Sequence, residues 1–104
     1  MAFYKSRKQM HFRHHIKREH NALIVGEDEI NYDYFLVTSS PKRDKNHKNE
    51  KFDDKPNKKY NGNSYFDKRL KKDLKDYFGI NPIKTWHLSE RDFKKIISIL
   101  NKKN

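Results

Sequence analysis

Residues 21–41, NALIVGEDEINYDYFLVTSSP, decide how this chain folds. Here two apolar runs lie close together with a turn between them. Ala22-Leu23-Ile24-Val25 is short, rich in branched side chains and stopped by Gly26. Tyr32-Asp33-Tyr34-Phe35-Leu36-Val37 is aromatic and branched, and Thr38-Ser39-Ser40-Pro41 closes it. Runs of that length and chemistry, bounded by turn residues, are strands rather than helices. The acidic Glu27-Asp28-Glu29 between them suits a solvated turn, so the pair is expected to form an antiparallel core hairpin.

Upstream lies His11–His20, HFRHHIKREH, with four of the chain's six histidines. Phe12, His14 and Ile16 alternate with Arg13, His15 and Lys17, the period of a strand with one apolar and one cationic face. Met1–Met10 mixes Phe3 and Tyr4 with Lys5, Arg7 and Lys8 and reads as an arm or short first strand. Downstream, Lys42–Asn63 has Phe52 and Tyr60 as its only large apolar residues. A polar stretch of that length is expected to be a mobile loop, with its lysines and Tyr60 laid over a nucleic-acid surface. Ser64-Tyr65-Phe66 suits a short strand. Asp67–Phe78 sets Leu70, Leu74, Tyr77 and Phe78 at helical spacing, between a capping Asp67 and a terminating Gly79. Ser89 then caps a second helix whose stripe is Phe93, Ile96, Ile97 and Leu100. The layout is one domain: a cationic arm or strand over 1–20, the core hairpin over 21–41, a polar loop over 42–63, and a strand with helices over 64–104.

Phe, Ile, Leu and Val make 23 of the 104 residues, just above the roughly 20% below which disorder is expected. The core is therefore small, and much of it falls to the 7 Phe, 6 Tyr and 1 Trp. A mainly β, α+β fold, a small antiparallel β-barrel with two C-terminal helical segments, can be filled on those terms; a large enzyme cleft cannot. The formal net charge is +11, and a charge that repels itself on folding points to a polyanionic partner, nucleic acid first. No basic amphipathic stretch carries a strong apolar face, which argues against a membrane partner. There is no cysteine, hence neither disulfide nor thiolate metal site. With no apolar leader and no run near the roughly 20 residues of a membrane span, a cytoplasmic location is expected.

His11, His14 and His15 form a weak metal signal, because the H-x-x-H pair lacks thiolates and paired carboxylates. Phosphate contact by His14 and His15 beside Lys17 and Arg18 is the better reading, and no metal or other cofactor is expected. His20 opens one strand of the hairpin and Thr38 ends its neighbour, so antiparallel pairing brings them together. An imidazole beside a hydroxyl and several cations is what metal-independent RNA cleavage uses: proton transfer at the ribose 2′-oxygen and 5′-oxygen, with cations on the phosphorane. No paired acids and no glycine-rich phosphate loop are present, which argues against nucleotide-dependent chemistry.

Residues 20–42, HNALIVGEDEINYDYFLVTSSPK, with the Asn-rich turn and short Ser-Tyr strand over Asn61–Phe66, resemble the MazF/PemK (Kid) family of toxin endoribonucleases. The resemblance spans roughly residues 15–70. It implies a small Src-homology-3-like barrel with added helices, often dimeric, that cleaves single-stranded RNA without metal and is restrained by a protein or RNA antitoxin. The family's basic catalytic residue falls on His20 and its hydroxyl residue on Thr38. The usual Arg-Pro is His20-Asn21 here, and Arg18, two residues earlier on the same side of an extended strand, is expected to share the role. RNA contacts are expected at His14, His15, Lys17, Ser39, Ser40, Lys42 and Arg43. The alternative is a non-catalytic basic module of a phage or mobile element that docks RNA or an acidic protein. A helix-turn-helix is disfavoured, because a long Pro-containing segment separates the two expected helices.

Overall fold

Tyr34 and Phe35 are neighbours in sequence and both are fully buried. Side chains alternate across a strand, so this strand is covered on both faces. In the computed structural model, which describes residues 2–102, it is β4 (Asn31–Thr38). It pairs antiparallel with β3 (His20–Glu27), with Ala22, Leu23 and Ile24 opposite Leu36, Phe35 and Tyr34. The register shifts by one residue between Ile24 and Gly26, a bulge that bends and twists the hairpin. Asp28 shapes the connection by accepting from the Ile30 and Asn31 amides at 3.0 and 2.8 Å.

The outer edge of β3 carries β1 (Ala2–Phe3) and β2 (His11–His15). The outer edge of β4 carries β8 (Tyr65–Phe66) and β9 (Lys71–Leu74), and β7 (Glu50–Lys51) lies beyond β8. A separate small hairpin joins β5 (Lys42–Asp44) to β6 (His47–Lys48). After a 3₁₀ turn over Lys75–Tyr77 the chain returns to β2, where Phe78 bridges His15 and the Gly79 amide donates to His14 at 2.9 Å. That single bridge bends the sheet round without making a closed barrel.

One face gathers Phe12, Leu23, Val25, Phe35 and Val37 with Phe52 and Phe66, under helix α1 (Glu90–Lys102), which brings Ile96 and Leu100. The other face holds Ala22, Ile24 and Tyr34 around Phe78. The Phe78 ring meets His15, Tyr34 and Tyr32 edge-on at centroid distances of 4.7, 5.1 and 5.2 Å. Each such side chain, fully buried, is worth about 1.5–3 kcal/mol of transfer free energy.

The architecture is thus mainly antiparallel β with one C-terminal helix, and two expectations need correction. Asp67–Phe78 is not a helix: β9 and the 3₁₀ turn occupy it. Its four apolar residues do not share a stripe, since Leu70 packs on the first face, Tyr77 and Phe78 on the second, and Leu74 is 40% exposed. Nor is Lys42–Asn63 without structure. It carries β5, β6 and β7, and it buries Phe52 against Phe12 and Phe66. The second helix forms as expected, with the Asp92 amide donating to Ser89 Oγ at 3.2 Å. No helix among the described residues is long and apolar enough to cross a membrane.

Candidate functional site

The β3–β4 ladder ends where its polar residues begin. Continuing the observed register by two residues sets His20 opposite Thr38, and both line two clefts at that end of the sheet, of about 350 and 360 Å³. Strand alternation places these clefts on opposite faces. The first lies on the Val37 side and is walled by His14, Asn21, Ser64, Tyr60 and Trp86. The second lies on the Leu36 side and is walled by Lys42, Arg43, Arg69 and Asp67. His20 and Thr38 form the saddle between an aromatic, amide-lined hollow and a cationic one.

His14 stands opposite Asn21 in the β2–β3 ladder, on the face of Phe12. Its Nδ1 lies 3.2 Å from Asn21 Oδ1. Thr38 Oγ1 accepts from the Ser40 amide at 3.1 Å, which leaves its own proton to donate. Ser39 reaches the first cleft and Ser40 the second, although the Ser40 hydroxyl is already spent on the Lys42 carbonyl at 2.8 Å. In the second cleft Arg69 is held by Asp67 through Nε at 3.0–3.1 Å and Nη2 at 2.5 Å. Burial works upward on the Asp67 carboxyl, but the Arg69 bonds and charge outweigh it and keep it below its ordinary value.

Three expected site residues stand elsewhere. His15 is 1% exposed and is a core histidine rather than a phosphate contact. Its Nδ1 accepts from the Arg18 amide at 3.1 Å, and its Nε2 reaches Asp73 at 2.9 Å. Arg18 is not on an extended strand: Ile16–Glu19 is a turn, with Glu19 at φ 56°. Its guanidinium faces Asp73 at 3.8 Å, away from both clefts. Lys17 lies over the Tyr77 ring at 4.8 Å. The residues brought together are therefore His14, His20, Thr38, Ser39, Ser40, Lys42 and Arg43. Among the described residues no group of acids and histidines has the spacing of a metal site.

No family model, curated protein or solved structure matches the chain.

Sequence reasoning missed Trp86, Asn21, Ser64 and Arg69, which line the clefts from segments far apart in the chain. The one signal available for a second imidazole was the alternation that puts His14 on the Phe12 face. His47 and His87 supply none: His47 pairs with Asp44 in the small hairpin at 2.9 Å, and His87 is exposed on the segment before α1.

Proposed function

We propose that this protein is a MazF/PemK-like, toxin-type endoribonuclease that cleaves single-stranded RNA without metal, by attack of a ribose 2′-hydroxyl on the adjacent phosphorus. The observation that carries the reading is the saddle: His20 beside Thr38, with a second imidazole, His14, in the same cleft and cations in the adjoining one. One imidazole takes the 2′-hydroxyl proton as the 2′-oxygen–phosphorus bond forms. The other protonates the 5′-oxygen as its bond to phosphorus breaks. We assign the first task to His14 and the second to His20. The Thr38 hydroxyl and the Lys42 and Arg43 charges stabilise the phosphorane. The products are a 2′,3′-cyclic phosphate and a 5′-hydroxyl, so atoms balance without water or oxidant. The architectural part of the proposal is an open Src-homology-3-like barrel, supported by the His15–Phe78 bridge that turns the sheet back on β2. An antitoxin and a second copy of the chain are the partners this reading carries with it.

One observation favours the rival reading, a non-catalytic basic binding module. Arg18, the cation expected beside His20, is engaged by Asp73 instead. The deciding experiment incubates labelled single-stranded RNA with the protein in EDTA. We expect cyclic-phosphate ends, a rate lower by about 10²–10⁴ in His20→Ala, and RNA binding retained by that variant. A wild-type protein that binds RNA and leaves every strand intact establishes the binding module.

A further inference from the structure

Trp86 and Tyr60 both border the first cleft, and the fold holds each in place by a different device. Trp86 is half-buried, with its ring edge-on to Phe12 at 5.6 Å in the core. Tyr60 is 42% exposed and belongs to the turn closed by its amide donating to the Asn57 carbonyl at 3.1 Å. Its ring lies on Gly62 so closely that a β-carbon there would come within 2.8 Å of the ring edge. Gly62 serves this close approach, because its backbone is not in the left-handed region. The two aromatic segments are tied together by the His87 amide donating to the Pro56 carbonyl at 3.1 Å. One positioned indole and one positioned phenol thus flank a hollow whose remaining walls include the His14 and His20 imidazoles and the Glu19 carboxylate beside amide and hydroxyl groups. Just over the saddle lie the cations of the second cleft.

We infer that Tyr60 and Trp86 form a stacking clamp for one unpaired nucleobase, while the backbone phosphates of the same strand cross the saddle toward Lys42, Arg43 and Arg69. The inference rests on the single-strand reading above and adds a subsite to it. Aromatic platforms beside a cationic track are how proteins hold single strands. Every base offers a π-face, and stacking one is worth about 1–3 kcal/mol by alanine substitution. A sugar or a peptide side chain could use the aromatic walls alone, but it would leave the adjoining cationic track without a ligand. A base joined to phosphates uses both.

Trp86 is the chain's one tryptophan, so its fluorescence reports on this cleft alone. The probe is an end-labelled, non-cleavable 2′-deoxy hexanucleotide, with anisotropy reading total binding and Trp86 emission reading the clamp. Both signals should saturate together. An otherwise identical strand of abasic residues should bind more weakly and leave Trp86 emission unchanged. Tyr60→Ala should weaken binding of the full hexamer by about tenfold or more. Gly62→Ala, which keeps the phenol but pushes its ring aside, should weaken it in the same direction. If the hexamer binds by anisotropy with Trp86 emission unaltered, and Tyr60→Ala binds as tightly as wild type, the clamp is overturned while the nucleic-acid reading stands. If neither signal responds to any strand, both readings fall.

Discussion

Asp73 draws on distant parts of the chain through one oxygen. His15 Nε2 reaches it at 2.9 Å, Tyr34 donates its hydroxyl to it, and Arg18 Nε lies 3.8 Å away. Burial works upward on the carboxyl, but these donors and charges prevail and hold it below its ordinary value. A carboxyl lowered in the folded state contributes stability that is complete above its unfolded value, about 3.9. That contribution is lost as pH falls through the lowered folded value, because the unfolded chain binds the proton first. Asp73→Asn should therefore lose about 2–3 kcal/mol at pH 7, on the scale of a hydrogen bond to a charged group. It should also flatten the fall in stability below about pH 4. Urea unfolding of both proteins at pH 7 and pH 3 measures this, and an unchanged acid slope in the variant would show that Asp73 is not the group involved. His20→Ala, by contrast, replaces an exposed side chain and should act on turnover far more than on stability.

Residues 67–78 show how an element is chosen against its own periodicity. Leu70, Leu74, Tyr77 and Phe78 fit a helical stripe, yet the open edge of β4 leaves backbone groups that must find partners. Lys71–Leu74 supplies them by pairing with Asn31–Tyr34. The inward positions of that strand are then Lys71 and Asp73, polar residues rather than apolar ones. The two structures predict different mutational patterns. In the strand, Leu74→Ala should cost less than about 1 kcal/mol, because the side chain is already 40% exposed. Phe78→Ala, which empties the centre of the aromatic cluster, should cost about 3–5 kcal/mol. Equilibrium unfolding distinguishes them: comparable large losses at both positions would restore the helix. Far-ultraviolet circular dichroism should likewise report helix over only about the 13 residues of α1.

At the scale of the whole molecule, the +11 charge is unevenly committed. Lys72 pairs with Asp28 at 3.1 Å, Lys75 with Glu27 at 2.8 Å and Arg91 with Asp54 at 2.9 Å. Lys17 and Arg18, expected on phosphates, are drawn toward Tyr77 and Asp73. The saddle's cationic side is built from Lys42, Arg43 and Arg69, of which Arg69 is also bound by Asp67 at 2.5 Å and Arg43 lies 4.0 Å from Asp44. With about −0.7 in log–log salt slope per phosphate contact on a single strand, these three should account for roughly −2 of the total. Replacing all three by Ala should flatten the dependence by that amount, whereas Lys17→Ala should leave it nearly unchanged. Equal slopes for the triple variant and wild type would mean that the charge at this end serves no phosphate.

The sequence by itself determined the hairpin, the short Tyr65–Phe66 strand, the capped C-terminal helix and the meeting of His20 with Thr38. Each depends on a local signal: runs of branched and aromatic residues, a Ser three residues before an Asp, or the antiparallel geometry of one turn. Tertiary structure alone decided which histidine is buried: alternation puts His14 and His15 on opposite faces, and only the return of Tyr77 and Phe78 beside Tyr34 covers the His15 face. It alone turned residues 71–74 into a strand, since the partner edge lies some forty positions away in the chain. Tyr60 was legible as a candidate nucleic-acid contact, but its sharing of a cleft with Trp86 was not, because their segments meet only in the fold, where the His87 amide donates to the Pro56 carbonyl. Periodicity describes what a segment can bury, and long-range pairing decides where it is buried.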